Sequence, residues 1–571
     1  MFRSEFPDVP VVDLPIHDAV LAAAAEYGER PALIDGLTGE EVSYARLAAA
    51  VERVAAGLAA AGVRKGDVVA LFSPNSVVYP MAYYGASRAG ATVTTVSSLS
   101  TPGGRGGGRG GGPPPPRGPP AASPPARPPP RRGAAPPPPR PAPPPPGPPA
   151  APPADSAARC LITVSPFLPT ARAAAEQLAA EGRPPAEIIV LDGAEGHRSL
   201  ADLLAATGPA PEPAIVPGED VAVLPYSSGT TGLPKGVMLT HRSIATNLAQ
   251  TDALYRPSVG ERVLAVLPFF HIYGLTALLN QPLRCGATVV VLPRFDLEQF
   301  CGAIERHRVQ GLVVAPPIVL ALAKHPVVGR FDLSSVEYLL CAAAPLDQDL
   351  AEACARRLGL PHLLQGYGMT ELSPVTHVVS PTETDPVPGS VGRLVASTEL
   401  RVIALDGSGV DLGPGEPGEL LIRGPQVMKG YFGRPSDTAA MVDAEGWLHT
   451  GDVGYVDARG YLFVVDRVKE LIKYKGYQVA PAELEAVLLG HPQIADAAVI
   501  GVRDAEGTEC PKAFVVRAPG SELTAEEVTG YVAGHVAPYK KVRAVEFVDA
   551  VPKSPAGKIL RRELRAREAS R

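Results

Sequence analysis

The sequence predicts a mixed α/β architecture: a large body of layered sheets and helices, followed by a small α+β unit at the C-terminus. Three observations predict it. Short β-branched runs alternate with helical periodicities along most of the chain, the pattern of buried, largely parallel sheets. The 571 residues exceed one ordinary compact domain and suit about three to four core-forming units. From about Asp466 the rhythm shifts to shorter, mixed elements, so the division is expected at 1–465 and 466–571.

Taken in order, Tyr44, Leu47, Val51, Val54 and Leu58 recur at helical spacing, and Val68–Phe72 is a short apolar run after a Gly-Asp turn. Residues 101–153 break the pattern. They hold only Pro, Gly, Arg, Ala, Ser and Thr, with about 25 of the chain's 65 prolines. With no aliphatic residue above Ala and no acid, this tract buries too little to offset ordering entropy. It reads either as a disordered insertion or as a misread, frame-shifted gene segment. Strand-like runs resume at 161–164, 188–191, 221–225, 263–267, 288–292 and 312–315, alternating with helical patterns such as 296–308. In the C-terminal unit the helices are expected at Pro481–Leu489 and 524–536, the strands near 498–502, 513–516 and 544–548. Thr524 and Glu527 are spaced as a capping box.

Composition excludes several classes. Lys+Arg 53 against Asp+Glu 59 gives −6, and setting aside the tract's arginines leaves the rest near about −13, a poor match to nucleic acid. No window approaches the roughly 18 apolar residues of a membrane span. The opening MFRSEFPDVPVVDLP carries acids and prolines where a signal peptide needs an apolar stretch. Six scattered cysteines with no CxxC argue against a disulfide framework or a zinc site. The expectation is a cytoplasmic protein of unknown oligomeric state. A hydrolase would need a nucleophile elbow; the nearest sequence, Gly85-Ala-Ser87-Arg-Ala89, reads as a helix with small residues for close packing.

The run YSSGTTGLPKG at 226–236 follows the apolar strand VAVLP. Its glycines let backbone N–H groups turn toward an anion, its hydroxyls add donors and Lys235 adds charge. Taken alone, such a cluster is most often a surface loop. The kinase-type P-loop is excluded by spacing, since Pro234 stands where that motif needs Gly before Lys. Further stretches accompany it in order: LPFFHIYG at 267–274, QGYGMTE at 365–371, HTGDVGY at 449–455, DRVKELIKYKGYQVAPAELE at 466–485 and PKSPAGKILRREL at 552–564.

Together these stretches resemble the adenylate-forming superfamily of acyl-CoA synthetases, luciferases and peptide-synthetase adenylation domains, over all of the chain but 101–153. KYKGYQVAP and FFHIYG look like the 4-coumarate/cinnamate–CoA ligase and luciferase branch, while the N-terminal FPDVPVVDLPIHDAV and the CAAAPLD run at 341–347 look most like bacterial cinnamate/4-coumarate–CoA ligases. The resemblance implies a large adenylation domain, a small mobile C-terminal domain hinged near Lys469, and two half-reactions: an aryl-propenoic acid and ATP give an acyl-adenylate and pyrophosphate, then coenzyme A displaces AMP. Joining a carboxylate to a polyanionic triphosphate calls for cations, Mg2+ and oriented donors rather than a protein nucleophile.

By family position, Ser227, Ser228, Gly229, Thr230, Thr231 and Lys235 hold the ATP phosphates. Thr370 meets the α-phosphate region and Glu371 holds Mg2+. Gln365, Gly366 and Tyr367 border the nucleotide, with Tyr367 against adenine, while Asp452 and Arg467 take the ribose hydroxyls. Lys558 bridges carboxylate and α-phosphate during adenylation, and Lys473 serves once the C-terminal domain has rotated. Lys475, Gly476 and Arg294 match CoA contacts, Arg294 standing where plant ligases carry Lys. The acid pocket is expected from His271, Tyr273, Ala277, Ala343, Gly366, Pro374, Val375 and Gln478. Ala277 replaces a Ser of the plant enzymes and Leu340 a basic residue, so no partner for a ring hydroxyl is expected and cinnamate should rival 4-coumarate. A medium-chain fatty acyl-CoA synthetase would share every nucleotide motif, and a degraded synthetase kept as a binding module is the non-enzymatic alternative.

Overall fold

The computed structural model describes residues 1–97, 156, 158–183, 186–227, 234–474, 477–504, 508–554 and 557–569. The tract 101–153 lies outside them. The N-terminal helical periodicity becomes the helix Tyr44–Ala60, started by Ser43, whose hydroxyl accepts from the Arg46 N–H at 3.2 Å. The helix Tyr79–Arg88 packs across it; a Cβ at Gly85 would lie 2.4 Å from Val54 Cγ1, so glycine permits the approach. Ser87 is buried in that helix and hydrogen-bonded to His17 Nδ1 at 2.9 Å, a packing residue rather than a nucleophile elbow.

Two large sheets carry the body. One has nine strands among the described residues, with a parallel centre of Leu364–Gly368, Tyr338–Cys341, Gly311–Val314, Arg262–Ala265, Thr288–Val291 and Pro31–Asp35 in spatial order. The other has Thr92–Thr95, Val68–Phe72, Cys160–Thr163 and Glu187–Val190 in parallel, with Val221–Leu224 and the antiparallel Lys235–Thr240 at one side. These strands are near-continuous Val/Ile/Leu runs because helices cover both faces. The helix Leu297–His307 is capped by Asp296, which accepts from the Gln299 N–H at 3.0 Å. A five-stranded sheet ends the body: Phe2–Arg3, Glu399–Ile403, Gly418–Arg423, Leu448–Val456 and Leu462–Arg467.

That last strand pairs Arg467 with Asp452, so the expected division at 465/466 falls inside a strand, and the chain leaves the sheet only after Arg467. The hairpin Ile472–Tyr474 and Tyr477–Val479 follows. Beyond it a three-stranded sheet, Ile494–Arg503, Glu509–Arg517 and Ala544–Phe547, packs against the helices Pro481–Leu489 and Ala525–His535 around Leu484, Leu488, Val499, Val515, Val528 and Val532. The Thr524–Glu527 capping box is present in full. All six cysteines are free and buried. No helix among the described residues is long and apolar enough to cross a membrane.

Candidate active site

In open α/β sheets, ligands sit outside the carboxyl ends of the parallel strands. Here three parallel strands of the nine-stranded sheet lead into one cavity of about 620 Å3. Arg262–Ala265 runs on to His271 and Tyr273, Tyr338–Cys341 to Ala342 and Ala343, and Leu364–Gly368 to Thr370 and Glu371; all of these line it. Gly368 belongs to the turn into the last group: a Cβ there would stand 1.9 Å from the Pro374 carbonyl oxygen. Pro374, Val375, Ala277 and Leu340 complete an apolar wall.

The polar wall is organised around two carboxylates. Glu371 is buried, and its Oε1 accepts from Ser227 Oγ at 3.0 Å and from the Tyr431 hydroxyl at 2.9 Å. Burial beside that carboxylate holds the Tyr431 phenol well above its ordinary pKa, so it remains a donor. Asp452 accepts from the Tyr367 hydroxyl at 2.7 Å and pairs with Arg467 Nε at 3.1 Å. Lys235 reaches Asp437 at 3.0 Å and lies over the Tyr431 ring at 4.9 Å. It opens the strand that pairs antiparallel with Tyr226–Ser227, directly opposite Ser227.

Lys558 joins the two walls. Its turn is closed by the Ser554 N–H donating to the Lys558 carbonyl at 2.7 Å and the Lys558 N–H donating to Ser554 Oγ at 3.1 Å. Burial, with Arg467 nearby, pulls its ammonium down to about 8, while Asp452 and Glu470 oppose the change. His271 is pulled down to about 4 by burial and by the Lys558 charge, so it is neutral at pH 7. Its Nδ1 accepts from the Tyr273 N–H at 3.2 Å, which places the proton of the neutral ring on Nε2.

The structure thus brings together Ser227, Lys235, Gly366, Tyr367, Thr370, Glu371, Arg467, Lys469 and Lys558 with His271, Tyr273, Ala277, Ala343, Pro374 and Val375. Gln365 and Asp452 are buried behind the wall rather than on it. Arg294 and Lys473 are exposed and off the cavity. Gln478, expected in the acid pocket, pairs with Lys473 across the hairpin, is exposed and is not among the lining residues. Ser228, Gly229, Thr230, Thr231, Lys475 and Gly476 lie outside the described residues. Tyr431 and Asp437, absent from the sequence reading, hold Glu371 and Lys235; only the KGYFGRPSD run hinted at them, and it carries no spacing that names a partner.

Two sheets opening onto one cleft, with a small C-terminal domain lending a lysine to it, define the class of adenylate-forming, ATP-binding ligases. The chain belongs to the AMP-binding enzyme family: the pattern of that family matches residues 20–105 and 152–432, and that of the AMP-binding enzyme C-terminal domain matches 483–558. It is 41% identical over 580 residues, 100% of this chain and 98% of the relative, to 4-coumarate–CoA ligase 5 of Oryza sativa subsp. japonica. It is 39% identical over 580 residues to 4-coumarate–CoA ligase 3 of Arabidopsis thaliana, covering 99% and 94%. Among solved structures it resembles ATP-bound MatB from Rhodopseudomonas palustris, with TM-score 0.80 and 25% identity over 97% of this chain and 99% of that one.

Proposed function

We propose that this enzyme converts an aryl-propenoic acid, cinnamate or 4-coumarate, to its CoA thioester through an acyl-adenylate. The observation that carries the reading is the continuity of the cavity. An apolar wall with small Ala277, Ala342 and Ala343 lines the same cavity as the cations and carboxylates around Lys558. The full-length similarity to 4-coumarate–CoA ligases supports the same acid class.

In the first half-reaction a carboxylate oxygen of the acid bonds to the α-phosphorus of ATP, and pyrophosphate leaves with the electron pair of the broken bond. Lys558 neutralises the two anions as they approach. His271 presents its Nε2–H beside them. Ser227, Lys235 and the hydroxyl-rich segment 228–231 hold phosphates, Thr370 meets the α-phosphate region, and Gly366 and Tyr367 border the adenine. Arg467 addresses the ribose, with Asp452 fixing both it and the Tyr367 ring from behind. The residues present fit Mg2+: Glu371 is a buried oxygen donor held by two hydroxyls on one oxygen, and one carboxylate with substrate phosphates is a usual magnesium set. When bound, the ion supplies neutralisation of phosphate charge.

In the second half-reaction the CoA thiolate bonds to the acyl carbon and AMP leaves. Lys558 then occupies the ground the thiol needs, while Lys473 lies exposed and off the cavity. The C-terminal domain therefore turns about Lys469, withdrawing Lys558 and presenting the Lys473 hairpin, with Arg294 meeting CoA phosphate. Pyrophosphate exchange and CoA-thioester formation, screened over aryl, fatty and amino acids, test the reading. Activity confined to octanoate or to an amino acid would overturn it.

A further inference from the structure

The Lys235 ammonium on the polar wall of the cavity is already engaged. Its Nζ lies 3.0 Å from Asp437 Oδ1, the lysine side chain 11% and the aspartate 36% exposed. Among the described residues, no other carboxylate stands within ion-pair distance of it. The Tyr431 ring lies under the same ammonium, while the Tyr431 hydroxyl goes to Glu371. Glu371 and Asp437, both on the cavity wall, therefore serve different partners.

The backbone builds this pairing in. Gly430–Tyr431 pairs antiparallel with Met238 and Val237 of the Lys235 strand, and the Phe432 N–H donates to the Gly236 carbonyl at 2.9 Å. Thr438 closes the turn that follows: its hydroxyl accepts from the Tyr431 N–H at 2.9 Å and donates to the Arg434 carbonyl at 3.0 Å. Asp437, in the short helix Pro435–Ala439, is thereby held beside Lys235. Its other oxygen, Oδ2, lies 3.8 Å from Arg434 Nη1. Arg434 does not line the cavity, so Asp437 has a second cation at hand and can give up Lys235 without being stranded.

A polyanion reaching this wall meets an ammonium whose charge is already matched. Phosphate then gains only the difference between two charge-assisted contacts. We propose that Asp437 is a positioning residue that competes with phosphate for Lys235, yielding the ammonium as ATP binds and recapturing it as pyrophosphate leaves. This rests on the reading above in which Lys235 holds ATP phosphates. The exchange trades tightness for turnover. A grip shared equally by ground and transition states lowers KM without raising kcat, and the same grip on pyrophosphate would slow its departure. Arg434 keeps the Asp437 carboxylate paired while Lys235 is on phosphate.

The test is calorimetric titration of the full-length enzyme with ATP and Mg2+, with pyrophosphate and with adenosine. The variants are Asp437→Asn, Lys235→Met and the two combined. Asp437→Asn should bind ATP and pyrophosphate more tightly by about 3- to 30-fold and leave adenosine, which has no phosphate, within about twofold. Structural damage weakens ligands, so it cannot produce that gain. Lys235→Met should weaken ATP, and adding Asp437→Asn to it should change nothing further, because the carboxylate acts through the lysine. Unchanged or weaker ATP binding in Asp437→Asn overturns this inference alone. A gain that persists undiminished without Lys235 also overturns it, since Asp437 would then merely repel phosphate. ATP affinity unmoved by Lys235→Met overturns the phosphate reading of Lys235 and this inference with it. Should Lys235→Met fail to fold, the sign of the change in Asp437→Asn still decides.

Discussion

Replacing Lys558 with Ala should separate the two half-reactions. The drop of its ammonium from 10.5 to about 8 corresponds to roughly 3 kcal/mol against the charged form in the protein alone. An incoming triphosphate and carboxylate reverse that sign, because their negative charge stabilises the ammonium where water is scarce. Losing the cation should therefore cost adenylation about 3–4 kcal/mol, a factor of roughly 10²–10³. On the proposed rotation, which withdraws Lys558 before that step, thioester formation from supplied acyl-adenylate should be largely spared. Lys473→Ala should behave in the opposite way, because Lys473 lies exposed and off the cavity while Lys558 lines it. The assay is ATP–pyrophosphate exchange beside CoA transfer to preformed acyl-adenylate, on each variant. Equal losses in both steps for both variants would place the two lysines in one arrangement and refute domain alternation.

Three other outcomes are expected. A Lys558 ammonium at about 8 loses its charge as pH rises through that value, so kcat/KM for adenylation should fall above about pH 8; Lys558→Arg should lift that limb, and a wild-type profile flat beyond about pH 9 would assign the charge elsewhere. Glu485 meets Arg561 at 2.6 Å with both side chains about one-tenth exposed, so Glu485→Ala should strand a buried guanidinium and lower stability by about 3–5 kcal/mol in urea titration. Strands Thr92–Thr95 and Cys160–Thr163 both run parallel to Val68–Phe72, one on each side, and a parallel return needs about a dozen residues. Deleting residues 106–151 leaves about eighteen between them, so fold and substrate ranking should survive; lost activity would show that the tract has a role.

The strands were legible because buried parallel strands are written as contiguous apolar runs, and the cap at Thr524 because its chemistry is local. The nucleotide residues were legible because the motifs that bear them are contiguous in the chain. What escaped was set by register and by distance. The pairing of Gln478 with Lys473, which leaves both exposed, is announced by no spacing in the sequence. Tyr431 and Asp437 meet Glu371 and Lys235 across long sequence separations that only folding closes. The strand Leu462–Arg467 runs on past the change of rhythm read at Asp466, because its alternation blends into the next hairpin.

Gly557 seats the Lys558 turn against the large domain. Its φ is +81°, and an added Cβ would lie 2.8 Å from two ring carbons of Pro317, at the start of the helix Pro316–Lys324. The resting pose of the C-terminal domain is therefore set by the absence of a single carbon, at a residue with no group of its own to offer the chemistry. A side chain there would act as a doorstop, holding the domain off its seat while every reacting group stayed intact, and the enzyme would favour the second of its two reactions over the first.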